Sequence, residues 1–247
     1  MKEFIQKIGM SVWSAIRELG LDLAGDFERN FITDNRWKYI VDGLKTTLLV
    51  TFLALLLGVA LGFVVAIIRA THDKTNKLKF LNVICNLYIT VIRGTPVVVQ
   101  LLIIYYVIFA TVNVDKVVVA VLAFGLNSGA YVAEIVRSGI MAVDEGQFEA
   151  GRSLGFNYVQ TMVYIIMPQA FKNILPALGN EFIVLLKETS VAGYVALQDL
   201  TKGGDIIRSR TYSYTPLIVT ALIYLVMVIG FSKLLSILER RLRNSER

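Results

Sequence analysis

The sequence predicts an all-α fold: a polytopic helical membrane protein with five transmembrane helices. Three observations predict it. Of the 247 residues, 55% are hydrophobic and only 18% are charged, against about 25% charged in an ordinary soluble domain. The apolar residues gather into runs of about 18 to 28 with few charges, long enough to cross a hydrocarbon core of about 30 Å as helix. The alternating segments of about 10 residues that build a membrane β-barrel are missing.

The elements follow in order. Residues 1–36 mix polar and apolar side chains, with Ile5, Ile8, Val12, Ile16 and Leu19 at helical spacing. They read as an amphipathic helix, lying on the membrane surface or packed on the rest of the protein. The start of the chain has no continuous apolar stretch of the kind that marks a cleaved signal peptide. The first span covers about residues 44–68, where Gly58 and Gly62 form a small-xxx-small pair that lets another helix approach. A loop rich in Lys and Arg follows. The second apolar region, about 80–110, is interrupted by "RGTP" at 93–96, where Pro96 lacks an amide donor and the helix must break or kink. The third covers about 117–140 and is followed by a polar segment, 141–157. The fourth, about 158–186, contains Pro168 and Pro176 and is expected to be bent or split. A polar stretch, 187–214, precedes the last span at about 216–238 and a basic tail, 240–247. Residues 37–239 thus form one transmembrane domain. Positive residues favour the cytoplasmic side, so the N-terminus is placed outside and the C-terminus and the 141–157 loop inside.

Composition excludes several functions. The net charge of +6 belongs to membrane-anchoring loops rather than to nucleic-acid binding. One cysteine, Cys85, excludes an internal disulfide, and one histidine, His72, sits in a charged loop; together they make no metal or Cys/His catalytic site. The sequence contains no phosphate-binding G-x-x-x-x-G-K-[ST] loop, no G-x-S-x-G elbow and no H-E-x-x-H helix. Energy for any pumping must come from an ion gradient or from another protein.

Polar residues inside apolar spans are costly and usually face a cavity or a partner. Asn127, Tyr131 and Glu134 share one helical face. They read either as a polar stripe along a substrate path or, at Glu134, as an ion pair with Arg137. Asn180, Glu181 and Glu188 follow the Pro176 break, and Gln100 follows "RGTP". Polar groups beside broken helices mark transporter sites near the midplane, although Gln100 also fits an interhelical hydrogen bond. Three carboxylates, Glu134, Glu181 and Glu188, predict a preference for cationic substrates.

Residues 149–168, "EAGRSLGFNYVQTMVYIIMP", resemble the EAA motif of ABC importer permeases: Glu-Ala-Ala, three residues, Gly, nine residues, then Ile-x-Leu-Pro. Here Glu149, Ala150, Gly151, Gly155 and "IIMP" at 165–168 keep the spacing, with Gly151 and Met167 as departures. "RGTP", "YVAEIVRSGI" and "LLKETSVAGYVALQDL" resemble the polar amino acid branch of that family, and the resemblance covers about residues 38–238. It implies the type I ABC importer transmembrane fold in a bacterial inner membrane. It also implies a dimer of ABC ATPase subunits, a second permease subunit (identical or related), and an extracytoplasmic amino acid binding protein as partners. The chain would hold no cofactor, since ATP and Mg bind to the partner ATPase. The EAA loop, with Glu149, Ala150, Gly151, Arg152 and Gly155, would form a short coupling helix set against the ATPase. The substrate expected is a polar amino acid, with arginine, lysine or histidine preferred and glutamine or another polar amino acid as the alternative. A stand-alone ion-coupled secondary transporter has no use for an ATPase-docking loop, and an integral membrane enzyme would need a catalytic constellation.

Overall fold

A computed structural model describes residues 23–244. Most of the amphipathic segment expected at the N-terminus lies outside them; what is described is α1, Leu23–Phe27, then a π-helical turn and a short 3-10 turn. The remaining helices are α2 (Trp37–Thr75), α3 (Lys79–Arg93), α4 (Val97–Ile103), α5 (Lys116–Met141), α6 (Glu145–Ser153), α7 (Tyr158–Thr161), α8 (Met167–Glu188), α9 (Leu200–Thr211) and α10 (Thr215–Asn244). The expected boundary at 239/240 falls inside α10, so the start of the basic tail continues that helix.

Among the described residues, three helices are long and apolar enough to cross a membrane: Trp37–Thr75, Lys116–Met141 and Thr215–Leu242. A fourth crossing is counted if Lys79–Arg93 and Val97–Ile108 are taken as one span, bent by 106°. The break falls at "RGTP", as the sequence predicts. The five spans read from the sequence therefore exceed what length and composition support. The difference is α8, which is long enough but carries Lys172, Asn180, Glu181, Lys187 and Glu188. Nor is this region split at its prolines. A π-helical turn at Met162–Ile166 leads into α8, Pro168 sits in its first turn, and Pro176 lies inside without ending it. Pro176 removes one backbone hydrogen bond, but α8 is held along its length between α5 and α10, and that packing keeps the path helical.

The centre of the molecule is α2 lying along α5, both pointing the same way. The expected close approach of Gly58 and Gly62 occurs here. A Cβ on Gly62 would stand 2.6 Å from Cβ of Val132, and one on Gly58 would stand 2.9 Å from Cβ of Ser128. Only hydrogen fits at either position, so the backbones meet closely enough to gain dispersion contacts without lipid between them. Three apolar clusters extend this seam. Val50, Ala54, Leu101, Phe124 and Leu185 form one; Ala66, Val136, Ile140, Ile166 and Ile174 form another; Val65, Cys85, Ile89 and Ala133 form the one that seats α3.

α9 closes the end where α2 begins. Asp199 caps it, accepting from the amides of Thr201 and Lys202 at 3.0 Å each, and the Leu200 amide donates to Thr47 Oγ1 on α2 at 3.0 Å. At the opposite end, α6 connects α5 to α7.

Candidate functional site

The polar residues of the apolar spans fall into three groups. The first is Gln100 with Asn127. Gln100 Nε2 donates to the Ile92 carbonyl (2.7 Å), the Thr95 carbonyl (3.1 Å) and Thr95 Oγ1 (2.8 Å). Its Oε1 accepts from Asn127 Nδ2 at 3.0 Å. Pro96 leaves the last carbonyls of α3 without helical partners, and the Gln100 amide supplies them. Both side chains are buried, so their hydrogen-bonding capacity toward the bend and toward each other is largely used.

The second group is Glu181 with Ser128. Ser128 Oγ on α5 donates to Glu181 Oε1 on α8 at 2.8 Å, and both residues are buried. Asn180 is exposed and Glu188 half-buried on the same helix.

The third group surrounds Glu134. Sequence spacing offered one partner, Arg137, and its Nη2 stands 3.7 Å away. Two more come from distant segments: Arg69 of α2 is hydrogen-bonded to Glu134 Oε1, and Arg93 Nη1 lies 3.9 Å from Oε2. Asp73 faces Arg137 at 3.5 Å. The Arg93 guanidinium also stacks 5.2 Å over the Tyr131 ring. Glu134 is therefore a shared counter-ion for three arginines rather than a source of surplus negative charge. Arg69, Asp73 and Arg93 were not identified as functional residues from the sequence, because their proximity to Glu134 arises from helix packing. The signal available for Arg93 was its position at the end of an apolar run.

Beyond the C-terminal end of α5, the EAA-like segment is an ordered helix. Asp144 caps α6, accepting from the Gly146 amide at 2.7 Å. At its C-terminus the Phe156 amide reaches back to the Gly151 carbonyl (3.1 Å) and the Gly155 amide to the Arg152 carbonyl (2.9 Å), with Gly155 at φ 84°. This is a Schellman closure, which needs a left-handed residue and so favours glycine. A capping box then starts α7, with Asn157 and Gln160 exchanging two bonds of 2.9 Å. Gly151, the departure from the EAA pattern, is buried against α7: a Cβ there would stand 2.7 Å from Thr161 Cγ2. Glu149, Ala150 and Arg152 remain exposed. Lys74 at the end of α2 pairs with Glu145 and lies 4.8 Å over the Phe148 ring, so it ties α6 to α2. Between them opens a cavity of about 510 Å³ lined by Lys74, Glu145, Glu149, Arg152 and Tyr158 among others.

Among the described residues no cluster of His, Cys, Asp and Glu could hold a metal. What the site offers is a polar interior at mid-helix and a rigid exposed knob at one end.

Residues 58–244 match the family model described as the binding-protein-dependent transport system inner membrane component. A putative glutamine transport system permease protein of Rickettsia prowazekii (strain Madrid E) is 37% identical over 207 residues, 83% of this chain and 93% of that protein. The arginine transport system permease protein ArtQ of Bacillus subtilis (strain 168) is 37% identical over 211 residues, covering 84% and 94% respectively. Among solved structures, an amino acid ABC transporter with histidines is 47% identical, with a TM-score of 0.77 over 85% of this chain and 98% of that one.

Proposed function

The chain belongs to the family of binding-protein-dependent transport inner membrane components and is the permease of an ABC importer for polar amino acids, a multi-pass membrane subunit and not itself an enzyme; from that premise we propose that it favours basic amino acids and takes its driving force through α6. Membership in the family implies an ATPase and a binding protein as partners. The observation that carries the coupling assignment is α6 itself. Capped at both ends and tied to α2 through Lys74, it presents Glu149, Ala150 and Arg152 outward. A helix so fixed transmits a push, where a flexible loop would absorb it.

Five crossings are part of this reading. The helical path over residues 158–188 is about 45 Å long at ~1.5 Å per residue, enough to span in spite of its polar residues. Glu181 meets Ser128 within the protein, which removes one cost of placing it in the bilayer. The basic residues near 69–79 and at Arg240 and Arg241 favour a cytoplasmic position for α6 and the end of α10, with the start of α2 outside. A second, identical or related permease subunit completes the pathway, and ATP and Mg act in the ATPase chains.

The preference for arginine, lysine or histidine rests on Glu181 and Glu188, the two of the three span carboxylates that have no guanidinium partner among the described ion pairs. A second reading, glutamine, is favoured by the neutralisation of Glu134, which leaves less negative charge than the sequence alone gives. The test is co-expression with ATPase subunits, followed by amino-acid-stimulated ATP hydrolysis with the binding protein present. Stimulation by arginine, lysine or histidine above that by glutamine supports the basic reading. Glu181→Gln and Glu188→Gln then lower basic amino acid stimulation more than any glutamine response; an equal fall for all substrates refutes it. Failure of any ATPase to co-purify refutes the coupling assignment.

A further inference from the structure

Arg93 ends α3, 14 positions after Lys79, so its backbone lies about 21 Å along the helix from the basic loop. Its guanidinium reaches back toward Glu134, and a guanidinium among apolar helices needs an anionic partner. Its neighbourhood is short of one. The cluster gathers Arg69, Arg93 and Arg137 against Glu134 and Asp73, which leaves one positive charge unbalanced. The shortage falls on Arg93. Arg69 is hydrogen-bonded to Glu134, and Arg137 divides itself between Glu134 and Asp73. Arg93 stands at 3.9 Å from Glu134, outside hydrogen-bonding distance, and its side chain is 42% exposed against 17% for Arg69 and 28% for Arg137.

The remaining contact of Arg93 is with the face of Tyr131, 5.2 Å from the ring. A guanidinium held over an aromatic ring still carries N–H groups that can match a carboxylate with two parallel hydrogen bonds. Tyr131 and Glu134 are half-buried, while Val132, Ala133 and Val136 between and beside them are fully buried. The Arg93 guanidinium thus sits beside two half-buried positions of α5, Tyr131 and Glu134. Gln100 and Asn127, the nearest polar pair along α5, are hydrogen-bonded to the bend and to each other.

We propose that Arg93 is the receptor for the substrate's α-carboxylate, a specificity-determining residue of the pathway that recognises the amino acid backbone whatever the side chain. This rests on the reading of the chain as an amino acid permease. The other source of the same oxyanion chemistry is a lipid phosphate.

The experiment uses the permease–ATPase complex in nanodiscs without binding protein, so that carboxylate recognition by the binding protein plays no part. Binding of arginine and glutamine is compared with binding of their carboxamides, argininamide and glutaminamide. The wild-type complex binds the amino acid at least tenfold more tightly than its carboxamide. Arg93→Gln removes that ratio, and Arg93→Lys, which keeps charge but loses the fork, leaves an intermediate one. An unchanged ratio in either variant overturns the inference while leaving the permease reading intact. A wild-type complex that binds no amino acid although the ATPase is bound overturns both. Nanodiscs with and without phosphatidylglycerol separate the sources: if the anionic lipid competes with the amino acid through Arg93, the site is a lipid site and the inference fails.

Discussion

Asn127 Nδ2 donates to Gln100 Oε1 across 3.0 Å, while the Gln100 amide nitrogen closes the α3–α4 bend onto Ile92 and Thr95. One side chain thus fixes both the sharpness of the bend and its attachment to α5. Gln100→Leu strands the Ile92 and Thr95 carbonyls and the Asn127 amide together, whereas Asn127→Ala strands only one acceptor. Leaving buried polar groups unpaired costs about 1–3 kcal/mol each. Thermal unfolding in detergent is expected to rank Gln100→Leu well below Asn127→Ala. Equal effects of the two would show that the bend does not depend on Gln100.

Gly151 packs where Thr161 leaves no room for a methyl group. Gly151→Ala, which recreates the Glu-Ala-Ala pattern, is therefore expected to loosen α6 on α7 and to lower amino-acid-stimulated ATP hydrolysis. Thr161→Ala removes the clashing Cγ2 and Oγ1, so the double variant recovers activity. Absence of rescue would place the defect elsewhere.

Gly155 closes α6 at φ 84° with nothing within 4 Å of a Cβ position. Space is not the constraint there; backbone conformation is. Gly155→Ala is expected to cost about 1 kcal/mol, the strain of a left-handed L-residue, and Gly155→Asn less. Limited proteolysis between α6 and α7 reads the difference.

Glu134 is the shared acceptor of Arg69, Arg93 and Arg137. Glu134→Gln removes the shared acceptor and leaves only Arg137 with an acidic partner, Asp73; it is expected to destabilise by about 2 kcal/mol, reduced from a fully buried pair by partial exposure. Adding Arg69→Gln to Glu134→Gln restores part of that loss, because the repulsion falls. A double variant less stable than the single one would contradict this charge count.

Asp205 on α9 accepts from Arg208 Nε at 2.9 Å and from Lys202 Nζ at 3.0 Å. The hydrogen bond from Arg208 and then that from Lys202 hold its carboxyl below the ordinary value of 3.8. A lowered folded-state pKa gives stability that is present above the unfolded value and lost as pH falls toward the folded one. The stability difference between wild type and Asp205→Asn is therefore largest near neutral pH and shrinks below about pH 4. A difference that grows on acidification would reverse the sign and reject the assignment.

The class, the break at "RGTP" and the glycine seam on α2 were legible in the residues, and the resemblance to the EAA motif implied the short helix that ends at Gly155. Each is local: an apolar run long enough to cross, a proline without its amide, a glycine at four-residue spacing, a left-handed residue after a helix. The sequence also placed Asn127, Tyr131 and Glu134 on one helix, because that follows from the helical repeat alone. What the tertiary structure decided was which groups meet. Arg69 stands 65 positions from Glu134, and Ser128 stands 53 from Glu181; no periodicity relates such pairs. Of the three carboxylates counted as surplus charge, Glu134 is neutralised by arginines, Glu181 is hydrogen-bonded to a serine, and Glu188 is half-buried. Pro176, a helix breaker by its chemistry, sits inside a helix because neighbouring helices hold it there. Charge and hydrogen-bonding capacity are properties of single residues, but whether they are spent depends on the distances that packing sets.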